Sequence, residues 1–351
     1  MSLTRMPADE ALAQLDRFST LIDARSESEY ALDHLPGAQN WPTLHDAERQ
    51  SIGTMYVQVS AFEAKKHGAA VAARNIARHI EQQVLSQPKG WAPLVYCWRG
   101  GKRSGSLALV LDQIGFRVTL IDGGYKAFRA AMLRDLDARV AQLQFRVICG
   151  TTGSGKTRLL QALGRAGAQV LDLEALACHR SSVLGAVPGC PQPSQKRFDT
   201  LVWDCLRRFN PQQPVYIESE SKKVGNVAVA QALIERMRAS PCLDLVLPMP
   251  QRVALLIEDY DDFVQNRALF CERLDALTQA RGKVVIQAWK DAVMAGRTPD
   301  VVRELLTAHY DPTYTESMQR NFLHYAQAMR ITPADHTPAA MDTLAQQLLS
   351  T

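Results

Sequence analysis

Residues 96–106 read YCWRGGKRSGS, a single thiol at Cys97 followed by two adjacent glycines, Gly100 and Gly101, flanked by three cations, Arg99, Lys102 and Arg103. Adjacent glycines let a backbone curl until several N–H groups point inward, which makes a nest for an anion. The apolar run before the thiol, residues 93–96, reads as a short buried strand, and Leu107, Leu111 and Ile114 recur at helical spacing after it. A helix beginning there adds the positive end of its dipole. In that field the thiolate is the favoured form of Cys97, and the thiolate is the nucleophile. The expected anion-binding group is Arg99, Gly100, Gly101, Lys102, Arg103 and Ser104. A lone cysteine is more often a small buried hydrophobe; the glycines and cations packed around this one argue for chemistry.

A second group of residues suits phosphate. Gly150, Thr151, Thr152, Gly153, Ser154, Gly155, Lys156 and Thr157 fit G-x-x-x-x-G-K-[ST] without a mismatch. The motif follows an apolar strand pattern (residues 145–149) and opens a helical one, the context in which its backbone N–H groups cradle phosphates. Lys156 would reach the terminal phosphate oxygens and Thr157 would offer its hydroxyl to a cation. Residues 215–218 (VYIE) stand where a second acidic strand belongs, but they end in Glu218, with Glu220 just beyond, where a metal-holding aspartate is usual. Glu218 and Glu220 are the acidic partners to consider. A phosphate cradle is better supported than nucleotide hydrolysis, and the phosphate could be a diphosphate on something other than a nucleotide. No dedicated metal centre is expected, and Mg²⁺ is left open.

The elements that must hold these groups alternate. Strand patterns fall at residues 19–24, 93–96, 117–121, 145–149, 169–173, 214–218 and 243–247. Helical patterns lie between them, at 62–85, 104–114 and 126–141 among others, and the chain after Pro250 reads as almost entirely helical. Ser26 and Glu29 have capping-box spacing. Alternation of this kind predicts α/β domains with parallel sheets. A chain of 351 residues exceeds the size at which one core stops growing, about 250–300 residues, so two domains are expected, 1–135 and 136–351, with the 126–141 helix as the link.

Composition excludes some classes. Hydrophobic residues make up 46% and charged residues 22%, ordinary for a globular protein. No run of apolar residues is long enough to span a membrane, and the first ten residues lack a secretory apolar core, so a cytoplasmic location is expected. The seven cysteines form no C-x-x-C pair, which argues against a disulfide framework or a zinc site. A net charge of +4 permits a nucleic-acid partner without requiring one. Arg180, Lys196, Arg197, Arg207 and Arg208 could form a basic patch in the second domain.

The 96–106 loop resembles the active-site loop of rhodanese-family sulfurtransferases, as do residues 21–25 (LIDAR) and 34–40 (HLPGAQN). That resemblance implies a Cys97 that carries a chalcogen, with Asp23 and Arg25 bracing the loop. Over nearly its whole length the chain resembles the bacterial tRNA 2-selenouridine synthase family, a rhodanese-like domain fused to a P-loop domain with a helical C-terminal region. The further matching stretches are residues 51–56 (SIGTMY), 61–69 (AFEAKKHGA), 74–77 (RNIA), 122–129 (DGGYKAFR), 172–174 (DLE), 216–221 (YIESES) and 309–314 (HYDPTY), together with the phosphate loop. Small differences from the family fall at His67 and at Arg180, Ser181 and Ser182, outside the two central motifs.

The resemblance implies a transferase that replaces sulfur by selenium at the wobble 2-thiouridine of tRNA. Geranyl diphosphate would alkylate the sulfur and selenophosphate would supply selenium. By that resemblance Cys97 carries the selenium, and the phosphate loop holds the prenyl diphosphate or a tRNA phosphate. Selenophosphate synthase is the implied donor source. The competing readings are plain tRNA thiolation, a P-loop kinase or NTPase with a regulatory rhodanese domain, and a tRNA-binding module whose thiol only senses redox state.

Overall fold

The computed structural model describes residues 3–180, 185, 187, 189–261 and 265–350; Ser181 and Ser182 lie outside the described residues. The chain divides into two compact units.

The first unit comprises Met1–Ala138 together with Pro193–Asp204. Its strands are β1 (Thr4–Met6), β2 (Thr20–Asp23), β3 (Gln39–Asn40), β4 (Pro93–Tyr96) and β5 (Thr119–Ile121). They pair in the order β1-β5-β4-β2-β3, all parallel. A parallel sheet is covered on both faces, so its central strands read as continuous apolar runs; all four residues of β4 are buried. Ile22, Val95, Leu107, Leu111, Val118 and Leu120 form the core of one face. The capping box of Ser26 and Glu29 is present and starts the helix Glu27–Leu32. The helix Asp46–Gln58 gave no sequence signal because none of its residues is buried.

The segment 193–204 departs from the expected division at residue 135. It is most of the helix Gln195–Leu206, and it packs within the first unit. The attachment is apolar and specific. Phe198 and Trp203 are fully buried. Trp203 meets Phe128 edge-on at 5.7 Å, and its indole N–H donates to Asp135 at 2.7 Å.

The second unit comprises Arg139–Gln192 and Cys205–Thr351. Its main strands are β6 (Phe145–Cys149), β7 (Gln169–Leu171), β8 (Val215–Glu218), then, after a small antiparallel hairpin of β9 (Lys223–Val224) and β10 (Val227–Ala228), β11 (Cys242–Leu245) and β12 (Met329–Ile331). The order β12-β11-β6-β8-β7 is parallel throughout. From β6 the chain goes to β7 and β8 on one side and then to β11 and β12 on the other, so the order reverses between β6 and β8. Open α/β sheets bind ligands at the carboxyl ends of the strands at such a switch point. The helices Lys156–Arg165 and Pro338–Ser350 cover one face through Leu159, Leu163, Met341, Leu344 and Leu348. A separate apolar cluster of Phe270, Leu274, Trp289, Val293, Val301 and Leu305 holds the helical region together.

The C-terminal region is almost entirely helical, as expected; β12 is a three-residue edge strand with one buried side chain, too short to show a period. Two sequence readings are corrected. Cys178 and Cys190 are joined by a disulfide, which their separation of 12 residues did not suggest. The basic residues expected to gather in the second domain are divided: Lys196 and Arg197 belong to the first unit, Arg180, Arg207 and Arg208 to the second.

Candidate functional site

In the first unit Cys97 directly follows β4, and the helix Lys102–Ile114 starts four residues after Trp98. The intervening loop turns tightly at Gly100, whose φ of +64° suits only glycine. A Cβ there would lie 2.8 Å from the Ile121 carbonyl and 3.2 Å from the amide nitrogens of Gly123 and Gly124. Backbone packs on backbone, and the Tyr125 and Lys126 amides donate to the carbonyls of Cys97 and Trp98 at 2.8 and 3.1 Å.

The Ser104 hydroxyl, wholly buried, donates to the Cys97 sulfur at 3.1 Å. Cys97 itself is 3% exposed and belongs to the apolar core. A thiol so enclosed reacts only when the loop gives way or the sulfur turns outward, a more guarded position than the sequence suggested. Of the expected anion-binding cations, Arg99 and Lys102 are exposed. Arg103 is a correction: its guanidinium makes a fork with Glu29, at 2.5 and 3.2 Å, and so ties the loop to the capping box. Burial works against the Glu29 carboxylate, but Arg103 outweighs it and holds that carboxyl below its usual range.

Asp23, which ends β2, and Arg25 form an ion pair. Both are buried, and the guanidinium donates to Asp23 at 2.9 and 2.6 Å and to the Asp33 carbonyl at 2.6 Å. The Tyr125 ring lies 4.0 Å from the Arg25 guanidinium, and its hydroxyl donates to Asp33 at 2.6 Å. Thr200, from the 195–206 helix, donates to the same Asp33 oxygen at 3.0 Å. Trp98 stacks on Tyr125 at 5.5 Å, with the Lys196 ammonium 5.6 Å from its ring. Thr200 and Lys196 were not legible as parts of this site, because nothing local links them to a loop a hundred residues earlier.

In the second unit the phosphate loop leaves β6 and opens the helix Lys156–Arg165, at the switch point. Gly155, with φ +88°, lets the helix begin where a Cβ would strike Met341 at 2.6 Å. The Lys156 ammonium donates to the Gly150 carbonyl at 2.7 Å, inside its own loop. Two residues far along the chain hold the loop. Arg252, buried, donates to the Thr152 carbonyl at 2.9 and 2.6 Å and forms a fork with Asp311 at 2.9 and 2.6 Å. The Tyr314 hydroxyl accepts from the Gly150 amide at 2.7 Å and meets the Ser219 hydroxyl at 3.0 Å. Ser154 is buried with no hydrogen-bond partner for its hydroxyl. Glu218, the last residue of β8, and Glu220, two residues beyond it, are the two expected acidic partners, and both are buried.

These geometries coincide with what family comparison finds. Residues 7–131 match the model of the rhodanese-like domain, and residues 143–288 match that of the tRNA 2-selenouridine synthase AAA domain. A tRNA 2-selenouridine synthase of Nitrosomonas eutropha is 34% identical over 91% of this chain and 94% of its own. This chain belongs to the tRNA 2-selenouridine synthase family, a family of enzymes. Relatives of that name from Marinobacter nauticus and Nitrosomonas europaea are 35% and 36% identical, in alignments that span 68% and 72% of this chain. The chain spans 65% and 66% of the lengths of those two. Among the described residues, no helix is long and apolar enough to cross a membrane.

Proposed function

We propose that this protein replaces sulfur by selenium at the wobble 2-thiouridine of tRNA, in two steps, with Cys97 at the site of selenium transfer. In the first step the thiocarbonyl sulfur attacks the C1 carbon of geranyl diphosphate. The carbon–oxygen bond breaks, diphosphate leaves, and S-geranyl-2-thiouridine forms. In the second, the selenium of selenophosphate attacks C2 of the base, geranylthiol leaves, and hydrolysis of the selenium–phosphorus bond releases phosphate and leaves 2-selenouridine. A thiocarbonyl sulfur is a poor leaving group and alkylation makes it a good one, which fixes the order.

The observation that carries the reading is the pairing of two sites in one chain of this family: a thiol backed by a backbone curl and the Ser104 hydroxyl, and a phosphate cradle at a sheet switch point. Arg99, Lys102 and the amides around Gly100 and Gly101 would hold selenophosphate; Arg103 would act through Glu29 by fixing the loop. The cradle from Gly150 to Thr157 would hold the prenyl diphosphate, with Lys156 turning from the Gly150 carbonyl to the substrate oxygens. tRNA is the macromolecular substrate, a selenophosphate-forming enzyme is the upstream partner, and the cytoplasm is the place where both are met.

Mass spectrometry of tRNA nucleosides tests this reading with selenophosphate and geranyl diphosphate each omitted in turn. Without selenophosphate the S-geranyl nucleoside should accumulate; without geranyl diphosphate 2-thiouridine should persist unchanged. If ATP alone is consumed at a steady rate and neither omission matters, the kinase reading replaces this one. A product that gains only sulfur would favour thiolation.

A further inference from the structure

One turn of a distant helix holds the opening segment of the phosphate loop at two points. In the helix Asp311–Asn321, Asp311 and Tyr314 are three residues apart and so share a face. Asp311 acts through Arg252 on the Thr152 carbonyl. Tyr314 acts on Gly150 directly: its hydroxyl accepts from the Gly150 amide at 2.7 Å and meets the Ser219 hydroxyl at 3.0 Å. Gly150 is buried, so loss of that acceptor would strand its N–H. Burial drives the Tyr314 hydroxyl well above its ordinary range, so it keeps the proton that it can give to the Ser219 oxygen.

The same tyrosine faces Lys156. The ammonium lies 5.4 Å from the centre of the Tyr314 ring, within reach of a cation–π contact, while it donates to the Gly150 carbonyl at 2.7 Å. Gly150 is thus held by the Tyr314 hydroxyl at its amide and holds Lys156 at its carbonyl. This seat has a competitor. Glu218 is buried with one oxygen unpartnered, and the Lys156 charge acts on it. An ammonium that closed on that carboxylate would form a buried ion pair, which an incoming phosphate would have to break. Seated between a carbonyl and an aromatic ring, Lys156 gives up only neutral partners, which costs far less.

With residues 150–157 read as the diphosphate cradle, we propose that Tyr314 is a positioning residue for Lys156: its hydroxyl and ring together seat the ammonium inside the loop and away from Glu218, ready for an incoming diphosphate. Tyr314 acts through the lysine, so its effect on binding must vanish when the lysine is absent. The 309–314 stretch, far from the loop in sequence, thereby takes part in substrate binding.

The test measures binding of inorganic diphosphate to the full chain by isothermal titration calorimetry. The parent is compared with Tyr314→Phe, Tyr314→Leu and Lys156→Ala, and with each Tyr314 change combined with Lys156→Ala. Tyr314→Phe, which loses the hydroxyl, should raise Kd about fivefold, and Tyr314→Leu, which loses the ring as well, about tenfold or more. In the Lys156→Ala chain neither change should alter Kd by more than about twofold, the coupling expected of residues that act as one. A folded Tyr314→Leu chain that binds diphosphate as the parent does overturns the proposal. So does a Tyr314 effect of the same size without Lys156, which is what a purely structural tyrosine would give. If Lys156→Ala binds diphosphate as tightly as the parent, the cradle reading falls, and the role of Tyr314 with it. Melting curves show which variants are folded. The parent also decides by itself in a proton NMR spectrum. The ε-methylene protons of Lys156, assigned by their loss in Lys156→Arg, should be shifted upfield by the Tyr314 ring and should move when diphosphate is added. A Lys156 signal at the position of the exposed lysines overturns the seat even if no Tyr314 variant folds.

Discussion

The Cys97 sulfur takes a hydrogen bond from the buried Ser104 hydroxyl. A hydrogen bond of this kind contributes about 1 kcal/mol, a factor of roughly five in rate. Ser104→Ala should therefore slow alkylation of Cys97 by iodoacetamide about fivefold; an unchanged rate would mean the hydroxyl has no part in it. Asp33, which accepts from Tyr125 and from Thr200 of the 195–206 helix, gives a pH signature. Burial pushes its carboxyl up, against the hydrogen bonds from Tyr125 and Thr200 and the charge of Arg129. The native state then keeps a proton that the unfolded chain has released. Its contribution to stability falls as pH rises from about 3.9, the ordinary aspartate value, through the raised native value, and is level above that. Asp33→Asn should flatten that slope in melting temperatures taken between about pH 4 and 7; a variant with the parent's slope would assign it to other groups.

At the scale of elements, each motif was legible because its chemistry is local. The spacing of Gly150, Gly155, Lys156 and Thr157 is contained in one strand–loop–helix, and so is that of Cys97, Gly100 and Gly101. What braces those loops was not legible. Arg252 and Tyr314 reach the phosphate loop across 100 and 164 residues of sequence, and no periodicity carries such a pairing. Arg252→Ala would leave Asp311 without its partner and the Thr152 carbonyl without its donor. Breaking a fully buried pair costs about 3–5 kcal/mol, and Asp311, 25% exposed, places this one below that range. The melting temperature should fall by several degrees, and Arg252→Lys should recover little, because an ammonium cannot make the fork. Full recovery by lysine would show that the charge, not the fork, matters. Trp203 is a fully buried anchor of the 195–206 helix, so Trp203→Ala should destabilise the first unit by about 3–5 kcal/mol, read from urea unfolding.

For the whole molecule, parallel strands were the easiest elements to read, since burial on both faces makes them uniform apolar runs; β2, β4, β6 and β8 are of this kind. The edge strands β1 and β12 were missed because each has three residues and little burial. The return of residues 193–204 to the first unit was missed because chain order gives no sign of it. Function follows from the two sites taken together, and they separate experimentally. Lys156→Ala should depress geranyl transfer while leaving selenium transfer to tRNA that already carries S-geranyl-2-thiouridine intact; normal geranylation by that variant would remove the cradle from the mechanism. The most direct test of the account is the opposite lesion. tRNA treated with the Cys97→Ser enzyme, geranyl diphosphate and selenophosphate should accumulate S-geranyl-2-thiouridine and contain no 2-selenouridine by mass spectrometry. Formation of 2-selenouridine at the parent enzyme's rate would contradict it.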